Sequence, residues 1–162
     1  MKETKATILY VDDEANNLLT FKANFRRFYE VYTAESAEEG RKLLQDKKFS
    51  IIITDQRMPA ITGVQFLESI IKEFPDPIRI LITGYSDLEV VIEAINKGQI
   101  YRYVMKPFNV DELKAVLDNA HEVYSLREEN KELMKIALKA NEQLEFMLRQ
   151  RLISLDNSDA NL

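Results

Sequence analysis

Between residues 6 and 122, short apolar runs rich in β-branched residues alternate with stretches whose apolar positions recur every three or four residues. The runs are Ala6–Val11, Val31–Ala34, Ser50–Thr54, Ile78–Ile82 and Tyr101–Val104, the length and composition of buried strands. Helical spacing follows in Leu18, Phe21, Phe25 and Phe28, then in Leu43 and Leu44, in Val64, Leu67, Ile70 and Phe74, and in Val91, Ala94 and Ile95. Ser36–Glu39 and Ser86–Glu89 carry the capping-box pattern that opens a helix. Met58-Pro59 with Gly63 interrupts the chain after the third run, Pro75-Asp76-Pro77 ends a helix, and Gly98 is a helix stop. Five strands alternating with five helices predict an α/β fold with a parallel sheet covered on both faces. In such sheets the ligand site lies beyond the C-terminal strand edge.

The last helix, capped at Asn109–Glu112, meets no stop until Ser154. Along it Val116, Asn119, Val123, Leu126, Asn130, Leu133, Ala137, Ala140, Leu144 and Met147 alternate spacings of three and four, an a/d heptad pattern. Asn130 falls at an a position, where a buried amide selects a parallel two-stranded register. Glu122 and Arg127 stand at g and e, placed to pair across such a dimer. The expected organisation is a domain over 1–122, a coiled-coil helix over 123–153 and a polar tail over 154–162. Leu133, Met134, Ile136, Leu138, Phe146 and Leu148 present more apolar surface than a two-stranded seam needs.

A chain of 162 residues suits one ordinary core and not two full domains. Its net charge of −5 gives no support for nucleic-acid binding, and no apolar run approaches a membrane span. The Met-Lys-Glu-Thr-Lys start has no signal-peptide core. With no cysteine, a reducing, cytoplasmic setting is the natural expectation.

Chemistry concentrates just past the strands. Asp12 and Asp13 follow the first run, Asp55 the third, Thr83 the fourth and Lys106 the fifth. Each has an ordinary role in isolation: an acidic pair opening a helix, a turn aspartate, a strand-end hydroxyl, a loop lysine. Five of them on one rim argue for a joint site. Three clustered carboxylates demand a proton or a cation, and oxygen ligands suit a hard divalent ion.

The acidic pair Asp12-Asp13, Asp55 in Asp55-Gln56-Arg57-Met58-Pro59, Gly63, Thr83-Gly84 and Lys106-Pro107-Phe108 together resemble a response-regulator receiver domain of two-component signalling. The resemblance covers roughly residues 5–122 and implies the flavodoxin-like strand order 2-1-3-4-5. It implies that Asp55 accepts a phosphoryl group. Magnesium (Mg2+) would be held by Asp13 and Asp55, by Asp12 largely through water, and by the backbone carbonyl of Arg57. Lys106 and Thr83 would contact the phosphoryl oxygens, and Lys106-Pro107 would be a cis peptide. Tyr103 is either the family's switching aromatic or a half-exposed strand aromatic packed on a helix.

Between Gly98 and Lys106 the chain is one residue longer than the common receiver spacing, and Ile100 and Tyr101 are expected near the face of the fourth helix, fifth strand and fifth helix. Arg57 is a long cation at the pocket mouth. His121, the only histidine, falls at a solvent-facing heptad position. The phosphoryl donor is therefore another molecule, a histidine kinase or phosphotransfer protein. The expected function is a phosphorylation-driven switch, not an enzyme, reporting through a parallel homodimer of the last helix. The competing readings are a magnesium-dependent aspartate-nucleophile phosphatase and a phosphorylation-independent dimerisation module. No effector motif fits after Leu126, so the chain is expected to be a fragment of a longer effector protein or to act through partners alone.

Overall fold

In a computed structural model the described residues are 4–160. Five strands, β1 (Thr7–Val11), β2 (Glu30–Ala34), β3 (Ile51–Asp55), β4 (Ile78–Thr83) and β5 (Arg102–Met105), form one parallel sheet in the order β2-β1-β3-β4-β5. The helices are α1 (Ala15–Phe25), α2 (Ala37–Asp46), α3 (Gly63–Ile70), α4 (Leu88–Asn96) and α5 (Val110–Ala160). This is the expected flavodoxin-like, doubly wound fold with a long last helix. Met1–Glu3, at the start of the chain, lie outside the described residues. Among the described residues no helix is long and apolar enough to cross a membrane.

Strand residues point alternately to the two faces, so one sheet makes two cores. Ile8, Tyr10, Ile53 and Ile82 pack with Phe21 and Phe25 of α1 and Leu113 and Leu117 of α5. Leu9, Val11, Ile52 and Leu81 pack on the other face with Leu44, Phe66, Leu67 and Val91 of α2, α3 and α4.

The caps account for most helix starts. Ser36 accepts from the Glu39 amide at 3.2 Å, while Glu39 reaches back to the Glu35 amide. Asn109 accepts from the Glu112 amide at 2.7 Å. Thr62 and Gln65 form a complete capping box at α3 that the Gly63 break concealed. Ser86 departs from expectation. Its pattern predicts a helix N-cap, yet Tyr85–Asp87 is a short 3-10 turn, α4 begins at Leu88, and no side chain caps it. The Ser86 hydroxyl instead accepts a hydrogen bond from Arg57.

Three further expectations change. Ile100 is buried in the second core, with only Tyr101 left exposed beside β5. His121 is half-buried rather than solvent-facing, its Nε2 3.1 Å from the carbonyl oxygen of Thr4. The polar segment after Ser154 remains helical as far as Ala160, since Asp and Ser residues there meet no proline or glycine.

The chain divides into two compact units between Tyr124 and Ser125. In the first, α5 buries Leu113, Val116, Leu117 and Ala120. In the second, the described residues are helical to Ala160 and all exposed except the half-buried Glu128.

Candidate functional site

The sheet register builds the site. Val11 pairs with Thr54 across β1 and β3, so the next residues, Asp12 and Asp55, emerge side by side at the C-terminal edge. Asp55 pairs with Ile82, and Thr83 with Met105, which brings Thr83 and Lys106 to the same edge. Carboxylate oxygens of Asp12, Asp13 and Asp55 lie within 4.8 Å of one another. Asp12 and Asp55 are buried and Asp13 is exposed.

Asp12 is held from three directions. Oδ2 accepts from the Tyr10 hydroxyl at 2.7 Å and from Asn17 Nδ2 at 3.1 Å, and Oδ1 accepts from the Glu14 amide at 2.9 Å. These bonds fix the orientation of the Asp12 carboxylate at the sheet edge. Burial pushes the Tyr10 phenol well above its usual range, and the Asp12 hydrogen bond adds to it, so Tyr10 remains a donor. Sequence reasoning missed Tyr10 and Asn17. Strand alternation offered the signal for Tyr10, which shares a face with the residue two places on.

Lys106 Nζ lies 2.6 Å from Asp55 Oδ1, and Lys106-Pro107 is cis as expected. Burial nevertheless raises the Asp55 carboxyl above the ordinary carboxylate range. Lys106 opposes the shift, while the charges of Asp12 and Asp13 add to it. One ammonium therefore does not neutralise the cluster. An oxygen-rich, under-neutralised carboxylate set matches the preferences of magnesium.

Thr83 is buried, and its hydroxyl donates to the Gly84 carbonyl at 3.2 Å. Tyr103 is half-buried and packs against the second core. Arg57 reaches the turn before α4: Nε donates to Asp87 Oδ2 at 3.0 Å and Nη2 to Ser86 Oγ at 2.7 Å. Buried Gln56 shapes the loop after Asp55. Its amide donates to Ile82 O, its carbonyl accepts from Gly63 N, and its side-chain oxygen accepts from Val64 N, each at 2.9 Å. Gly63 must be glycine here, because a Cβ would stand 2.3 Å from Asp55 O.

The chain is similar to known proteins over the same region. It is 38% identical over 127 residues to the hydrogenase transcriptional regulatory protein HoxA of Cupriavidus necator, which spans 78% of this chain and 26% of that protein. A solved chain named adenylate cyclase from Rhodopirellula baltica matches with a TM-score of 0.79 at 32% identity, covering 81% of this chain and 98% of that one. A response regulator receiver domain protein from Clostridium thermocellum matches with a TM-score of 0.71 at 32% identity, covering 75% and 98%. The chain thus spans about a quarter of the length of the curated relatives it matches. The family model of the response regulator receiver domain matches residues 8–118, a stretch that contains Asp12, Asp13, Asp55, Thr83 and Lys106. With that match lying over a sheet of the expected order, the chain belongs to the response regulator receiver domain family.

Proposed function

We propose that this chain is the phospho-accepting input of a two-component phosphorelay, with Asp55 as acceptor and a histidine kinase or phosphotransfer protein as donor. The observation that carries the reading is the Asp55 carboxylate, buried beside two further aspartates and bonded to Lys106. Asp12, Asp13 and Asp55, with the Arg57 carbonyl, would hold a magnesium ion, which when bound neutralises charge on the transferring phosphoryl oxygens. An Asp55 oxygen forms the new bond to phosphorus as the donor's P–N bond breaks, and the departing imidazole takes up a proton. Lys106 contributes a point charge to a phosphoryl oxygen. A recess of about 370 Å³, lined by Tyr10, Asn17, Phe21, Lys106 and Phe108, lies beside the site and gives a donor protein a place to seat.

The Thr83 hydroxyl is free to exchange its bond to Gly84 O for one to the new phosphoryl group. The shift in population that follows would alter the β4–α4 loop and the Tyr103 region. Output passes through a parallel homodimer of the last helix, in the cytoplasm. Incubation with a small phosphodonor and magnesium, followed by intact mass, tests the assignment. A single labile phosphate absent from Asp55→Asn supports it. Turnover of a phosphate ester would make the protein a phosphatase instead, and no adduct would leave a dimerisation module.

A further inference from the structure

The apolar surface of the second unit has a period of its own. Leu133, Leu144 and Leu155 stand eleven residues apart, and Ile136 with Met147, and Ala137 with Leu148, repeat at the same interval. Continuing the heptads of the preceding segment would instead bring Ser154 into the seam and leave Ile136, Leu148 and Leu155 beside it, while Arg151 falls in the seam by either period. Eleven residues in three turns is 3.67 per turn, slightly more than the 3.6 of a straight helix, and such a repeat winds two helices with a right-handed rather than left-handed sense. The large side chains of the repeat are all uncovered: Leu133, Ile136, Leu144, Met147, Leu148 and Leu155 are each more than half exposed.

We propose that from Leu133 onward a second copy of this chain covers the helix through an eleven-residue seam, parallel and in register. The proposal rests on the dimer in the functional reading above. Six large apolar side chains, each exposing on the order of 100 Å², and two alanines bring an area approaching the roughly 800 Å² per partner of a standard specific interface. The stripe is self-complementary, as a two-fold dimer requires. Its flanks, Asn141, Gln143, Leu152 and Ser154, are uncharged, so aligned copies set no like charges against each other there. Between Leu133 and Leu155, Arg151 is the one charge within the stripe, and its long stem lets the guanidinium reach solvent from a seam position. The seam also takes in Ile136, Leu148 and Leu155, which a heptad seam leaves beside it. Phe146 and Ile153 point away from this stripe and are not part of it.

Because the chain has no cysteine, single cysteines report the seam directly. Leu126→Cys, Leu148→Cys, Ser154→Cys and Leu155→Cys would each be made in the full chain and treated with a mild oxidant, with mass in solution measured alongside. Leu148→Cys and Leu155→Cys are expected to cross-link at least fivefold faster than Ser154→Cys. Faster cross-linking of Ser154→Cys overturns the proposal in favour of continued heptads. Cross-linking of Leu126→Cys with none at positions 148 and 155 also overturns it while leaving the dimer standing. Monomeric mass with no cross-link anywhere defeats both readings.

Discussion

Arg57 Nε donates to Asp87 Oδ2 at 3.0 Å, tying the loop after β3 to the 3-10 turn that precedes α4. A second bond from Nη2 to Ser86 makes the contact two-pronged, which is a use of arginine that lysine cannot copy. The pair ties down the segment that follows Thr83 in the chain.

Arg57→Ala should therefore loosen that turn more than it weakens the fold. The arginine is largely exposed, so the cost to global stability should fall within about 0–1 kcal/mol. Amide exchange at Tyr85–Leu88 should accelerate severalfold, with β1 unchanged. Equal exchange in variant and wild type would mean the contact does not restrain the turn.

Asp55→Asn should stabilise the metal-free protein at neutral pH. Burial first, and then the Asp12 and Asp13 charges, hold the Asp55 carboxyl above its unfolded value despite Lys106. A raised carboxyl contributes stability that is complete below the unfolded pKa of about 3.9 and lost as pH rises through the folded value. The gap in melting temperature between Asn variant and wild type should thus widen with rising pH and then level off. Magnesium should narrow it by binding the wild type more tightly. A gap that shrinks as pH rises would reverse the sign and contradict the burial argument.

Lys106→Met should tighten magnesium binding while slowing phosphorylation. The ammonium 2.6 Å from Asp55 Oδ1 repels a divalent cation at the same carboxylates. Discounted for the exposure of the lysine, that repulsion corresponds to roughly three- to tenfold in affinity. Calorimetric titration of magnesium reads the first effect and phosphodonor labelling the second. Weaker magnesium binding in the variant would show that Lys106 organises the site rather than opposing the ion.

Gly63→Ala should destabilise the protein by about 1–3 kcal/mol, the usual cost of overpacking. The added methyl would meet Asp55 O at 2.3 Å and Leu81 Cδ1 at 2.7 Å. Because the first clash is with the backbone of Asp55, magnesium affinity should fall as well. A urea midpoint equal to that of the wild type would show that the loop shifts freely.

Much of the site was legible in the chain because strand ends are marked locally. The runs ending at Val11, Thr54 and Ile82 are too apolar to stand in water, so each must be buried, and the polar residue after each falls at the sheet edge. Helix starts at Ser36 and Asn109 were legible for a similar reason, since a cap needs only an amide a few residues away. Ser86 had the same local pattern but lies inside a 3-10 turn, where its hydroxyl accepts from Arg57, twenty-nine residues earlier.

By itself, then, the sequence determined the alternation of elements, the single parallel sheet and the set of strand-end residues, because burial and hydrogen bonding act within a few positions along the chain. Only the tertiary structure decided that β1 lies against β3 in the register that puts Asp12 beside Asp55, that Tyr10 and Asn17 donate to Asp12 Oδ2, and that Arg57 holds Asp87. Those contacts depend on distance in space, and residues far apart in sequence carry no local trace of the partner that folding will bring them.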